Sequence, residues 1–553
     1  MLENQKFEEI HNRIVEVFFR YNPSIAAYLG KEEYEKELEV GTKEFYEEFV
    51  SKYSECIHEL KQVDLNELSR ENRYSLRILE ISNEIFQFLH NIYPIWKKTP
   101  YGLDNIQTTI FTILQRKGPT VQVVEVSNVL INKIPKFLEE FRSRFDDTPI
   151  PKVWKETALE RIQLAPQFFN YLITIFSSVS LPKSLQDDFS GIVKEAEVAI
   201  EIHKNWIQGL PVDEDEFAWA LGKDNFEELL RLRKLPWDRE TILKKGYELL
   251  ESLSTRAKQV AKEINPNKSY EEIVEEIESD HPPTFEMVLE HARSEAERAK
   301  EFIKTHDLAT IPSEGSLVVV ETPLYLAPII PFAMYGPAPY YDPNKPGIYY
   351  ITPIKDESEL KRHSYPSISN VMVHEAYPGH HLDIYWSNIF GRESYLISFV
   401  ISLLGDEMLE GWAHYCEEMM LQQGFHEELK KVELVIILGQ IWRAVRIIVD
   451  VELHSKQRTF EDAVKMLVEK AKMEEGAAKA EVRRYTTSPG QPLSYLIGKV
   501  LIQDLRDRVE EALGDKFSLK FFHDTILKSC DLPYYMLKEL FEEKISEIKK
   551  DIC

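Results

Sequence analysis

Four residues in one short segment, VMVHEAYPGHHLDIYW, have side chains suited to holding and using a metal ion: His374, Glu375, His380 and His381. Neutral imidazole and carboxylate are the usual ligands of a catalytic zinc, which takes three protein ligands and keeps a fourth position for water. A glutamate beside the first histidine is placed to take a proton from that water, as in the H-E-x-x-H helix of zinc peptidases. The His-Glu pair alone carries nothing, because it recurs at His58-Glu59 and His426-Glu427. Only at 374 do further histidines follow within two turns; the other two pairs read as ordinary polar helix positions.

The spacing departs from H-E-x-x-H and calls for a broken helix. At about 100° per residue, His380 lies about 240° around a regular helix from His374, and His381 about 20° away but two turns along. Pro378 supplies the break: it lacks an N–H, and its ring collides with the carbonyl four residues back, that of His374. Gly379 adds backbone freedom, so a kinked segment can bring His380 round to a metal held by His374. His381 is the weaker candidate for ligand, with a substrate contact or support of the ligands as its other role.

A third ligand has to come from another helix. LLGDEMLEGWAHYCEEMMLQ presents Glu407, Glu410, His414 and Glu417 at i, i+3, i+7 and i+10, on one face. Burying such a stripe is costly unless the carboxylates are paired or bind metal; a solvent-facing stripe fits the same spacing. QIWRAVRIIVDVELHS carries Arg443, Arg446, Asp450 and His454 at i, i+3, i+7 and i+11. Either arginine could hold a substrate carboxylate through bidentate hydrogen bonds, and an internal ion pair of Arg446 with Asp450 at i, i+4 explains the pattern slightly better. In RRYTTSPGQPLSYLIGK, Tyr485 and Tyr495 flank a Pro-Gly loop. A phenol there could donate to an oxyanion, although most of the 26 tyrosines must be packing residues.

The scaffold for these groups reads as helical. Up to about Leu308 the apolar residues recur with helical period, as in Ile10, Ile14, Val17 and Phe18. Prolines at 94, 100, 119, 135, 149, 151, 166, 182, 211 and 236 punctuate the region, and helices are expected to end before them. Between Ser313 and Ile354 the pattern changes to short β-branched and aromatic runs, SLVVVETPLYL and GIYYITPI, which predict two or more strands. Helical periodicity returns from Pro366 to the end, interrupted at SPGQP (488–492).

Composition narrows the classes. With 67 basic and 93 acidic side chains in 553 residues the net charge is −26, which repels phosphate backbones and anionic membrane surfaces. The hydrophobic fraction of 43% suits a folded globular chain rather than a disordered one. Cys56, Cys416, Cys530 and Cys553 have no paired spacing, so neither a disulfide framework nor a cysteine zinc site is expected and a reducing compartment fits. The first twenty residues, MLENQKFEEIHNRIVEVFFR, lack the basic segment and apolar run of a signal peptide and read as a helix. The expected location is the cytoplasm.

Together the motifs resemble the domain-of-unknown-function 885 family (DUF885), prokaryotic proteins similar to the gluzincin metallopeptidases. HEAYPGHH (374–381), EGWAHYCE (410–417), WRAVRIIVDVELH (442–454), SPGQPLSYLIGK (488–499) and NPSIAAYLG (22–30) carry the likeness across most of the chain. A more distant similarity is to the carboxypeptidase Taq and thimet oligopeptidase families. The resemblance implies His374, His380 and Glu410 as ligands of one divalent metal, zinc with cobalt or manganese as substitutes, and Glu375 as general base. It implies Tyr495 as the oxyanion donor. It also implies that an edge strand lays out an extended peptide above the metal, with KPGIYYITPI (345–354) and its Tyr349 as the candidate.

The expected fold is mainly α, a large helical metallopeptidase-like fold with a deep cleft and a small β-sheet near the site. Residues 1–310 would form a helical lobe and 311–553 a lobe with the metal site and a β segment at 311–355, joined as one continuous unit. The expected activity is zinc-dependent hydrolysis of short peptides, as a carboxypeptidase or oligopeptidase. The rivals are a metal-dependent amidase on a non-peptide substrate and a non-enzymatic helical binding protein with a vestigial site. His381, Arg443, Arg446, Tyr349 and Tyr485 are the candidate substrate contacts, with Glu417, His414 and His454 as supports of the ligands. Expected partners are short peptides, not nucleic acid or membrane, and a homodimer is the one assembly considered.

Overall fold

Helix starts are written into this chain as small polar caps. Thr42, Ser69, Thr120, Asp238, Thr284 and Ser364 each accept a hydrogen bond from the backbone N–H three residues on, satisfying donors that a helix leaves unpaired. The structure, a computed structural model, describes residues 2–313, 315–323, 326, 330, 332–354, 356–402 and 405–550. Helices make up 72% of it and strands are few and short, so the fold is mainly α.

Two compact units divide the chain. One runs to Trp219 and includes Pro339–Tyr341. Its helix Leu2–Tyr21 turns Phe7, Ile10, Ile14 and Phe18 inward against Phe49, Tyr53 and Ile57 of Lys43–Leu60. Two residue pairs, β1 (Ile150–Pro151) and β2 (Val212–Asp213), bridge in parallel. Pro166 lies inside the helix Lys152–Ser177 and does not end it. Burial of Ile162, Phe169 and Leu172 there, at about 1.5–3 kcal/mol each, outweighs a cost of about 3 kcal/mol for an internal proline.

The second unit holds Ala220–Ala338 and the chain from Asp342 on. Seven of its helices build the site: α1 (Phe285–Thr305), α2 (Tyr365–Glu375), α3 (His380–Phe390), α4 (Asp406–Gln422), α5 (Leu429–His454), α6 (Glu475–Tyr485) and α7 (Gln491–Leu513). The helix Arg239–Ile264 packs along α5, its Ala257, Val260 and Ala261 closing a core with Leu434, Ile437 and Ile441. These segments before 310 therefore belong with the site-bearing unit.

A three-stranded sheet of order β3 (Leu317–Glu321), β5 (Gly347–Ile351), β4 (Ala333–Gly336) lies beside these helices. β5 is central, parallel to β3 with Val319 opposite Tyr349 and antiparallel to β4 with Tyr335 opposite Tyr349. The expectation that 345–354 supplies an edge strand is thereby corrected, since both of its edges are already hydrogen-bonded. Among the described residues no helix is long and apolar enough to cross a membrane. Cys56, Cys416 and Cys530 are buried free thiols, and Cys553 lies outside the described residues.

Candidate metal centre

The break between the histidines is complete: α2 ends at Glu375 and α3 begins at His380. The intervening turn contains a cis Tyr377–Pro378 bond. It brings the Gly379 backbone so close to α2 that a Cβ there would stand 1.8 Å from the carbonyl oxygen of His374, so only glycine fits. Trp412 of α4 fixes the turn by donating its Nε1–H to the carbonyl of Pro378 at 2.9 Å. As a result the His374 and His380 rings meet edge to face with centroids 4.8 Å apart.

Glu410 reaches the same point from α4. Ligand atoms of His374, His380 and Glu410 lie within 4.8 Å of one another, and those of His374, His414 and Glu417 form a second such group sharing His374. The stripe of Glu407, Glu410, His414 and Glu417 does not face solvent: Glu407, His414 and Glu417 are buried and Glu410 is half-buried. Each acid has a partner. Glu407 pairs with Arg233 at 2.7 Å, and Glu410 Oε2 is 3.6 Å from His380 Nε2. His374 Nδ1 is hydrogen-bonded to Glu417 Oε1 at 2.7 Å, with His414 Nδ1 2.9 Å from the same oxygen. An imidazole that donates Nδ1–H to a carboxylate keeps its Nε2 lone pair free for a metal.

Electrostatics follow from this pairing. Burial by itself would raise the Glu410 carboxyl, but the hydrogen bond and charge of His380, with His374 and His414, bring it down to about 2. Burial likewise works against the charged form of His380, yet Glu410 holds it up at about 9. Glu417, despite its burial, stays well below the ordinary carboxylate range beside His414 and His374. Burial brings His414 down to about 4. The donor set fits zinc: two imidazoles and a carboxylate on converging elements, with an anion behind the first imidazole.

α7 enters through a backbone contact. A Cβ on Gly498 would fall 1.9 Å from the Glu407 carbonyl oxygen, and one on Gly411 would lie 2.4 Å from the Gly498 carbonyl carbon. This crossing sets Tyr495 beside the cluster, 6.1 Å from His414 between ring centroids. Burial raises the Tyr495 phenol and the charge of Glu410 raises it further; Gln491 donates to its oxygen at 3.3 Å. Glu375, half-buried at the end of α2, acts electrostatically on His380 and on the buried Tyr349 of β5.

The other sequence candidates are placed as follows. His381 is buried with both ring nitrogens occupied, Nδ1 by Tyr335 at 3.0 Å and Nε2 by Tyr377 at 3.1 Å; it ties α3 to β4. Arg446 pairs with Glu481 at 2.9 Å and donates Nε–H to the buried Tyr485 at 2.8 Å. The expected Arg446–Asp450 pair is replaced: Asp450 accepts from the backbone N–H groups of Gly490 and Leu493 at 3.1 and 3.2 Å and anchors the start of α7. His454 is not gathered at the cluster; its Nε2 meets the carbonyl of Tyr485 at 2.9 Å and its ring stacks on Phe226. Arg443 lies within electrostatic reach of Glu410, Glu417 and Tyr495.

Several participants escaped sequence reasoning. The buried Asp383 is paired with the half-buried Asp531, which acts on His380; desolvation pushes both carboxyls up, Asp531 to about 6. Asp383 stands one turn after His380 and was detectable by that spacing; Asp531 and Arg233 are too distant in sequence to leave a local signal. Between β4, β5 and α2 lies a cavity of about 190 Å³, walled by Phe332, Ala333, Ile351, Thr352, Val371 and Met372 among others.

A family model described as "Bacterial protein of unknown function (DUF885)" matches residues 23–540. Two solved structures share the fold. One, from Colwellia psychrerythraea and named a candidate lipoprotein, is 19% identical with a TM-score of 0.85, covering 99% of this chain and 100% of its own. The other, from Shewanella oneidensis and named a candidate lipoprotein of unknown function, is 20% identical with a TM-score of 0.78, covering 97% of this chain and 99% of its own. No curated protein matches the chain.

Proposed function

We propose, from the premise that this chain belongs to the DUF885 family, that it is a zinc-dependent hydrolase of short peptides, related at a distance to the gluzincin peptidases. One observation carries the reading: His374, His380 and Glu410 converge within 4.8 Å, with Glu375 adjoining the first of them. These three residues would hold a zinc ion, which would supply Lewis acidity toward a carbonyl and a water molecule.

The chain's own residues do the rest. Glu375 takes the proton of the attacking water on its carboxylate and returns it to the leaving amine. The Tyr495 hydroxyl donates to the carbonyl oxygen as negative charge develops there. Glu417 holds the His374 ring in the tautomer and orientation that binding requires. β4 is an edge strand of the described sheet and runs antiparallel to β5, so its outer backbone groups can pair with an extended peptide. The neighbouring cavity of about 190 Å³ suits one substrate side chain.

The scattered free thiols support a reducing compartment, and we place the protein in the cytoplasm. Cell fractionation checks this, because the two solved relatives are named as candidate lipoproteins. The test of function is elemental analysis of purified protein, followed by a panel of short peptides. About one zinc per chain and peptide cleavage abolished by a chelator are expected. A protein that cannot be loaded with zinc, or that cleaves no peptide when loaded, overturns the proposal.

A further inference from the structure

Two arginines one turn apart on α5 face opposite situations. Arg446 is engaged along the Nε and Nη2 side of its guanidinium, by Tyr485 and Glu481. Arg443 is not. Its Nη1 donates only to the carbonyl of Gly439, one turn back on its own helix, at 3.3 Å, and its Nε is buried without a partner. Beside it the indole N–H of Trp442 is likewise buried without a partner, the guanidinium carbon resting 4.3 Å from that ring. Among the described residues no carboxylate is ion-paired with Arg443. The acids it faces, Glu410 and Glu417, are already engaged by His380 and by His374 with His414.

A half-buried guanidinium whose Nε is shut away from water without an ion-paired carboxylate is costly, and its planar fork matches a carboxylate in two parallel hydrogen bonds. We infer, resting on the peptide-hydrolase reading, that Arg443 receives the free C-terminal carboxylate of the substrate, so that the enzyme removes residues from peptide C-termini. The choice of the chain terminus follows from position. Arg443 lies within electrostatic reach of Glu410, Glu417 and Tyr495. A carboxylate received there belongs to a chain that ends near the cleaved bond, whereas internal peptide would have to continue past the guanidinium. Arg446, the other sequence candidate for this task, has no free donor fork to offer.

The inference is tested by binding rather than turnover. The probes are three versions of a dipeptide whose cleavable amide is replaced by a reduced CH2–NH link: free acid, C-terminal amide, and an amide ending in Glu. They are titrated calorimetrically into the zinc-loaded full chain. The free acid should bind wild type tenfold or more tightly than the amide, roughly the value of a charge-assisted pair. Arg443→Met should bring the ratio close to one, and Arg443→Lys, which keeps the charge on a side chain less suited to the fork, should retain part of it. Folding of each variant is verified by circular dichroism, and the lysine variant carries the test if the methionine variant does not fold. A wild-type ratio near one, a full preference surviving in Arg443→Met, or the Glu-terminated amide binding as tightly as the free acid each overturns the inference. The two readings fail separately: equal hydrolysis of acid and amide peptides removes the carboxylate receptor and leaves the hydrolase. An acid preference in a protein that hydrolyses no peptide removes the hydrolase, and with it the trimming of C-termini, and leaves Arg443 as a carboxylate receptor.

Discussion

Replacing Glu417 by glutamine interrogates the arrangement of the metal centre most directly, because the two possible ligand groups share His374 and make opposite demands on Glu417. If Glu417 supports His374 from behind, Glu417→Gln keeps an acceptor at the same place but removes its charge. The bond at 2.7 Å to His374 Nδ1 then changes from charge-assisted, about 1.5–3 kcal/mol, to neutral, about 0.5–1.5 kcal/mol. The loss of about 1–1.5 kcal/mol is around tenfold in zinc affinity. Loss of the negative charge that makes the imidazole a better donor adds to this, within the range of about 10–100-fold typical of such supports. Glu410→Gln removes a ligand outright and should cost well over 100-fold. The assay is zinc competition against a fluorescent chelator at fixed pH, with circular dichroism to verify folding. An unchanged dissociation constant in Glu417→Gln refutes the supporting role. Abolished binding in Glu417→Gln with intact binding in Glu410→Gln moves the metal to His374, His414 and Glu417.

Glu375→Gln should retain one zinc per chain, since Glu375 is not among the ligands, while peptide hydrolysis falls by about 10²–10⁴-fold or more; wild-type turnover in the zinc-loaded variant would remove the base. In the metal-free protein His380 stays protonated up to about pH 9 through its contact with Glu410. Zinc must displace that proton, so about one proton per zinc should be released at pH 7, measured by calorimetry in buffers of different ionisation enthalpy. The same raised pKa gives the metal-free fold stability that is fully present below about 6.5, the free-histidine value, and is lost as pH rises through 9; thermal melts across that range provide the measurement. Gly498→Ala drives a methyl group into the Glu407 carbonyl, where the gap is 1.9 Å, and should destabilise by about 1–3 kcal/mol and weaken zinc binding through Glu410, whereas Gly191→Ala, with open space around it and an ordinary backbone conformation, meets no such clash.

What the sequence made legible was local chemistry. His374, Glu375 and His380 lie within seven residues, and the conflict of Pro378 with the carbonyl of His374 is enough to require two helices where H-E-x-x-H has one. Glu410 could be named only through a family likeness, because helical periodicity places an acidic stripe on one face without saying what that face meets. The strand order was hidden for a related reason: β5 pairs with β3 across more than twenty residues and with β4 on its other side, and no short-range pattern distinguishes a central strand from an edge. Arg446 illustrates how a sound local rule loses. Its neighbour Asp450 at i+4 was the natural partner, but α6 brings Glu481 and Tyr485 to the guanidinium, while the backbone N–H groups of Gly490 and Leu493 claim Asp450.

α4 also argues that this centre was not shaped by stability. In seventeen residues it carries Asp406, Glu407, Glu410, His414, Glu417 and Glu418, and the unit spends Arg233, His380, His374 and Lys499 to match four of the acids. Burial pushes Asp406 up to about 7. Apolar residues of similar size at such positions commonly leave a fold as stable or more so, while removing one partner of a buried pair is strongly destabilising. A helix that crosses its neighbour at backbone contact, glycine upon glycine, could have filled the crossing with alanine and leucine at less desolvation cost. Departures from core rules concentrate where a fold serves something other than its own stability, and here they concentrate on the residues that surround His374. The charge of −26 fits the same division: acids dominate the chain as a whole, while the imidazoles and guanidinium that would meet a substrate are drawn into half-buried positions within electrostatic reach of one another.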